Sequence, residues 1–175
     1  SALDFYSELG FWKSNQYKVS IKKDAIIEKV NPDFMVIEDD VKKQELYLNM
    51  VKSAVPNSSF DQSNRFGLQM FYTGEFENVY YSESLNCFVS YEMDEKTLYL
   101  NSIIADKVIS VRNILTRISE KFDRIEVGFT PRIGEDGSFD FEKYDGGDDY
   151  RLFCLGDTLK EIEECKLYFP EYSHA

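Results

Sequence analysis

Histidine is nearly absent from this chain, because its 175 residues include only His174, next to the C-terminal residue. A metal site built from several histidine and glutamate ligands on separate strands therefore lacks its imidazoles, and we expect no metal. The three cysteines, Cys87, Cys154 and Cys165, form no C-x-x-C pair and are odd in number, which favours a reducing compartment. Since none has a sequence neighbour that would activate it, we expect buried structural cysteines.

Basic residues are also scarce, with 20 Lys and Arg against 32 Asp and Glu and a formal net charge of −12. Such a surface would repel nucleic acid and anionic membranes, so neither is an expected partner. An amine-bearing small molecule or peptide would suit the charge, and self-association into a homo-oligomer is left open. No apolar run approaches the roughly 18–20 residues needed to cross a bilayer. We expect a cytoplasmic protein.

Apolar residues are present in the amount that one globular core needs, with 43% hydrophobic and 15% aromatic content. The first dozen residues predict a helix with Leu3, Tyr6 and Leu9 on one side, stopped by Gly10, and a strand follows over residues 17–21. This pattern is typical of the end of a domain. We therefore expect residues 1–23 to end an N-terminal domain of a longer protein and residues 24–175 to form a second domain.

The middle of the chain gives the clearest secondary-structure pattern. Short turns separate three apolar-rich strands over residues 79–82, 87–93 and 97–104, which predicts an antiparallel meander. A helix over residues 108–122 and a strand over residues 124–129 follow, and this last strand must run parallel to the third if both join one sheet. Earlier, Asp40 is a predicted helix N-cap, and residues 66–72 are a predicted strand. The fold class is α+β.

The N-terminal residues also carry a family resemblance. The string Ala2-x-x-Phe5-Tyr6-x-x-x-Gly10-Phe11 resembles a motif near the end of GNAT (GCN5-related) N-acetyltransferase domains. The resemblance implies that Phe5 and Tyr6 contact acetyl-CoA and that Tyr6 is a catalytic residue, which protonates the leaving thiolate. Ordinary packing on an amphipathic helix is the alternative for Tyr6. A similar string in vicinal-oxygen-chelate metalloenzymes would need the missing histidines.

The order of elements extends this resemblance over most of the chain. The β-β-β-α-β order, with the segments at residues 98–104, 127–131, 148–153 and 167–175, resembles the C-terminal part of two-domain GNAT proteins. This implies a GNAT-like mixed, mainly antiparallel sheet with flanking helices. By position and analogy with some two-domain acetyltransferases, the terminal carboxylate of Ala175, or His174, would be a catalytic base.

One expected feature of the family is missing. Acetyl-CoA binding uses a glycine-rich loop between the third strand and the helix, but residues 105–112 contain no glycine and include Asp106. The expected function is therefore acetyl transfer from acetyl-CoA to an amine acceptor, with this chain as the C-terminal part and the cofactor bound mainly outside it. The alternative is a non-catalytic GNAT-like interaction or regulatory module.

Overall fold

The structure, a computed structural model, describes residues 2–21, 29, 31–38, 40–61, 66–132, 138–147 and 151–173. These residues fold into mixed α+β structure. The helices are α1 (Ala2–Glu8), α2 (Val41–Ser53), α3 (Phe66–Thr73), α4 (Val111–Leu115) and α5 (Glu161–Glu164). The strands are β1 (Phe11–Ser14), β2 (Gln16–Ile21), β3 (Phe34–Val36), β4 (Val79–Ser82), β5 (Cys87–Asp94), β6 (Thr97–Ile104), β7 (Arg124–Val127), β8 (Phe139–Tyr144) and β9 (Leu152–Leu155).

Seven strands form one sheet in the order β3-β4-β5-β6-β7-β2-β8. Its strand pairs are antiparallel except for β6 and β7, which are parallel over Thr97–Arg124 to Leu100–Val127. The predicted meander is confirmed in β4, β5 and β6, and so is the parallel return strand. The α+β class with a mainly antiparallel, mixed sheet is therefore confirmed.

The two ends of the chain are interleaved across two sheets. Strand β1 pairs with β9 in a separate two-stranded sheet, whereas β2, only one residue further on, lies between β7 and β8 in the large sheet. Gly10, with φ of +84°, ends the turn before β1, as the sequence predicts. The division of the chain at residue 23 stays a prediction, and residues 16–21 share one sheet with the rest of the chain.

Side-chain alternation gives the large sheet two different faces. One face is a closed apolar core, in which Leu98, Leu100 and Val127 of the strands pack with Ile114 and Leu115 of the α4 region. On the opposite face, α2 covers the part of the sheet formed by β4 and β5 and by the end of β6. The residues of this second cluster are Ile37, Tyr47, Met50, Val51, Val79, Phe88 and Ile104. The rest of that face, on β6, β7, β2 and β8, carries polar side chains.

Two predicted elements differ from the structure. Residues 66–72, predicted as a strand, form helix α3, which buries Gln69 and Thr73 four residues apart and leaves Phe71 79% exposed. A short apolar run without alternation does not distinguish a strand from a helix. The helix predicted over residues 108–122 is limited to the five residues of α4. Lys29 Nζ donates to the carbonyl of Leu115, the last residue of α4, and to that of Ile118 beyond it.

The predicted cap of α2 is confirmed. Asp40 has extended backbone angles, and its carboxylate accepts a hydrogen bond from the backbone N–H of Lys42 at 2.9 Å. The helix ends at Ser53, before Pro56, as the sequence predicts. It therefore holds Tyr47, Met50 and Val51 against the sheet.

Candidate functional site

A cleft of about 490 Å³ lies on the polar part of the sheet. We call it the tyrosine cleft, because five tyrosines line it together with three glutamates and one lysine. The lining residues are Lys18, Val19, Tyr72, Glu92, Tyr99, Asn101, Glu126, Val127, Gly128, Tyr144, Tyr168, Glu171 and Tyr172. Three carboxylates against one ammonium favour a cationic ligand, and aromatic rings favour one with apolar or cationic surface.

The register of the strands sets the floor of the cleft. Glu92 of β5 lies opposite Tyr99 of β6, and Tyr99 lies opposite Glu126 of β7. Residues at matched positions of neighbouring strands point to the same face of a sheet, so the three side chains form one row. The row consists of a tyrosine flanked by two carboxylates.

The wall of the cleft is residues 168–173, which we call the C-terminal segment. The N–H of Glu171 donates to the carbonyl of Gly128 at 2.6 Å, and the N–H of Gly128 donates to Leu100 at 2.8 Å. The Tyr172 ring stacks on Tyr72 of α3, with centroids 4.8 Å apart, and its hydroxyl hydrogen-bonds with Ser90 of β5. The C-terminal segment is therefore tied to β5, to Gly128 just after β7 and to α3.

Hydrogen bonds orient the polar groups within the cleft. Asn101 Nδ2 donates to Glu92 Oε1 at 3.3 Å, and the Tyr168 hydroxyl donates to Glu171 Oε2 at 3.1 Å. Burial raises the pKa of Tyr168, and the neighbouring carboxylates, Glu171 foremost, raise it further. Burial likewise raises the pKa of Tyr172. Both phenols stay neutral at physiological pH and remain hydrogen-bond donors.

The cleft contains an ammonium group of the chain itself. Lys18 Nζ lies 4.4 Å from the centre of the Tyr144 ring. This distance is within the range of a cation–π contact. The aromatic lining is thus already used to hold a primary ammonium.

The ends of the two parallel strands offer a second, much smaller space. It measures about 30 Å³ and lies between residues 101–103 of β6, Phe129 and the C-terminal segment. That volume has room for about one or two water molecules but not for the pantetheine arm of a coenzyme. Pro170, Tyr172 and Ser173 of the C-terminal segment line this space.

The loop after β6 is also unsuited to a pyrophosphate. The backbone N–H of Ile109 donates to Asn57 Oδ1 at 2.7 Å, and Asn113 N–H donates to Ser110 Oγ at 3.2 Å. Donors that would face a phosphate are therefore engaged within the chain, and the exposed Asp106 adds repulsion. The described residues at this position do not fit acetyl-CoA.

The predicted site residues Phe5 and Tyr6 lie elsewhere, on α1 beside the two-stranded sheet. Tyr6 stacks on Phe153 of β9 with centroids 4.6 Å apart, and it is 38% exposed, while Phe5 is 59% exposed. Neither lines the tyrosine cleft. Their roles at acetyl-CoA stay predictions. Ala175, predicted as a catalytic base, lies outside the described residues, as does His174.

The cysteines differ in exposure. Cys87 and Cys154 are buried, as predicted, but Cys165 is exposed, so the prediction of three buried cysteines is wrong. Cys165 directly follows the four-residue helix α5, where the chain turns outward into Lys166 at positive φ. Burial raises the pKa of the Cys87 thiol to about 12, which makes it unreactive at neutral pH.

Sequence reasoning missed the tyrosine cleft, although a signal exists. Polar side chains occupy alternate positions on β6 (Tyr99) and on β7 (Arg124, Glu126), between buried apolar ones. The pattern marks one polar face. It does not show that β2 and the C-terminal segment join that face, because those contacts are remote in sequence.

Comparison with models of known protein families gives no match, and no curated protein matches the chain closely enough to count as a relative. Within the described ranges no helix is both long and apolar enough to cross a membrane. The same residues contain no group of three or more side chains suited to hold a metal ion. Membership of the GNAT family therefore stays a prediction from the sequence motifs and the order of the elements.

Proposed function

We propose that this chain is the acceptor-binding part of a GNAT-type N-acetyltransferase, with acetyl-CoA held mainly by residues outside those described. The observation that carries the proposal is the tyrosine cleft, in which three carboxylates and five tyrosines line one open space. Such a cleft suits an amine that arrives as an ammonium ion. The topology supports the family, because β4, β5, β6, α4 and β7 follow the β-β-β-α-β order with a parallel last pair.

The cleft suits an acetyl acceptor in two respects. Its carboxylates attract the ammonium form of the acceptor, and a carboxylate in hydrogen-bond contact can accept the proton that a nucleophilic amine has to lose. Glu92 is the best placed for this, because Asn101 holds one of its oxygens while the strand register puts it beside Tyr99. The neutral phenol of Tyr172, hydrogen-bonded with Ser90, lies at the same end of the cleft.

A second candidate function is a non-catalytic GNAT-like module for interaction or regulation. The small space beside residues 101–103 of β6 and Phe129 favours it, since its volume of about 30 Å³ does not admit a coenzyme arm. The engaged backbone donors of Ile109 in the loop and of Asn113 in α4 favour it as well. In that case the tyrosine cleft would bind a cationic ligand without chemistry.

Titration calorimetry with acetyl-CoA separates the two functions. It should be run on this chain and on a longer chain that includes the sequence upstream of residue 1, followed by an acetylation assay with primary amines. Binding and acetyl transfer by the longer chain alone support the proposal. If neither chain binds acetyl-CoA, the result supports the non-catalytic module. If this chain binds acetyl-CoA, with or without binding by the longer chain, the placement of the cofactor outside it is contradicted.

A further inference from the structure

We propose that the tyrosine cleft selects linear aliphatic diamines, which it holds with one ammonium group at Glu92 and the other at Glu126. This inference deepens the proposed function and depends on the same cleft. It names the class of amine that the cleft recognises.

The first argument is the spacing of the two carboxylates. Glu92, Tyr99 and Glu126 are in register on three adjacent strands, so the Cα atoms of the two glutamates are two strand spacings apart, about 10 Å. A charge-assisted hydrogen bond takes up about 2.7–2.9 Å at each end. Because each ammonium can lie in line with the row or above its carboxylate, the two nitrogens would be about 4–10 Å apart, a range that includes extended chains of four to six methylene groups.

The second argument is the surface between the carboxylates. The half-buried ring of Tyr99 stands midway along the row, where the methylene groups of such a ligand would lie. Methylene groups gain free energy from an aromatic surface, whereas a third charged group at this point would lose its hydration. The row therefore favours a ligand that is charged at its two ends and apolar between them.

The third argument is independent of the carboxylates. Lys18 presents a primary ammonium on an alkyl stem to the Tyr144 ring, within the same cleft and 4.4 Å from the ring centre. Lys18 is thus an internal example of an alkylammonium bound by this lining. Arg124, which does not line the cleft, contacts Glu126 at 2.9 Å, with side chains 60% and 27% exposed, so a ligand ammonium at Glu126 would share its carboxylate with this solvent-screened pair.

The test is titration calorimetry at low ionic strength with 1,4-diaminobutane, 1,5-diaminopentane and, as the matched control ligand, butylamine. We expect each diamine to bind at least ten-fold more tightly than butylamine, and the difference to shrink as salt is added. Equal affinity for the monoamine and the diamines would overturn the inference.

Four substitutions complete the test. Glu92→Gln and Glu126→Gln should each weaken diamine binding about ten-fold and leave butylamine less affected, while Glu45→Gln, on the exposed side of α2, should change neither. Lys18→Met keeps the apolar stem and removes the internal ammonium, so we expect it to tighten diamine binding severalfold. A damaged fold cannot give tighter binding, so this variant separates recognition from stability. Unchanged affinity in both row variants would contradict the proposal.

The test of diamine selectivity and the test of the transferase function can fail independently of each other. Selective diamine binding without acetylation by any longer chain would keep this inference and reject the transferase. Acetylation of monoamines and diamines with equal kcat/KM would keep the transferase and reject the diamine selectivity.

Discussion

Replacing Gly128 by alanine should loosen the wall of the tyrosine cleft, because the added methyl group has no room. A Cβ at this position would lie 3.0 Å from Glu171 Cβ and 3.2 Å from Asn101 Cα, closer than ordinary van der Waals contact. Neither neighbour can withdraw easily. Glu171 N–H is hydrogen-bonded to the Gly128 carbonyl, and Asn101 is part of β6.

The expected size follows from two opposing effects. Overpacking of this kind costs about 1–3 kcal/mol, while replacing glycine by alanine stabilises by about 0.4–1 kcal/mol through the unfolded state. The backbone at Gly128 is not in the left-handed region, so no further strain is added. With mid-range values, the net change is a loss of about 1.3 kcal/mol in the free energy of unfolding, or about 3–5 °C in Tm for a chain of this size.

The matched control is Gly67→Ala in α3. A Cβ at Gly67 meets no atom within 4 Å, so alanine should stabilise the chain there, by up to about 1 kcal/mol. Both variants are compared with the wild type by urea unfolding, with unchanged m-values as the check on two-state behaviour. If Gly128→Ala is as stable as the wild type or more so, the C-terminal segment does not lie against β6 and β7 as described.

Three further predictions concern the core and the ionisable groups. Tyr47→Phe removes a fully buried hydroxyl that hydrogen-bonds with Thr73, and we expect it to cost about 1 kcal/mol in urea unfolding, whereas Tyr47→Ala should cost about 3–5 kcal/mol. In the native protein, a thiol reagent should modify Cys165 rapidly, and the other two cysteines only after unfolding; three equally fast thiols would contradict their burial. Burial opposes ionisation of Asp33, but hydrogen bonds from Ser84 and Ser82 outweigh it and lower its pKa. The contribution of Asp33 to stability is therefore present above pH 3.8 and is lost as the pH falls further. We expect the Asp33→Asn variant to be less stable than the wild type at pH 7, and its free energy of unfolding to change less with pH in acid.

Local patterns in the sequence were enough for much of the large sheet. Alternating apolar residues and short turns predict β4, β5 and β6, and the connection through α4 requires the parallel return of β7. The N-cap at Asp40 and the glycine stop at Gly10 were also predictable, because each depends on one residue and its immediate neighbours.

Contacts between remote segments were not predictable in the same way. The position of β2 between β7 and β8 and the packing of the C-terminal segment against Gly128 join residues more than 40 positions apart. The identity of α3 is decided by tertiary contacts, since Gln69 accepts a hydrogen bond from Ser102 of β6 inside the core. A local sequence motif was therefore enough to predict a role for Tyr6. The tyrosine cleft could not be predicted in this way, because it is formed by strands that are distant in sequence.

The central claim is that the tyrosine cleft, and not the surface around Tyr6, binds the amine. Amide chemical-shift mapping by NMR during titration with 1,4-diaminobutane tests it most directly. We expect the largest shifts at Tyr99, Asn101, Gly128 and Tyr172, which line the cleft, and none in α1. Shifts confined to α1 and the two-stranded sheet, or no shifts at millimolar diamine, would contradict the account.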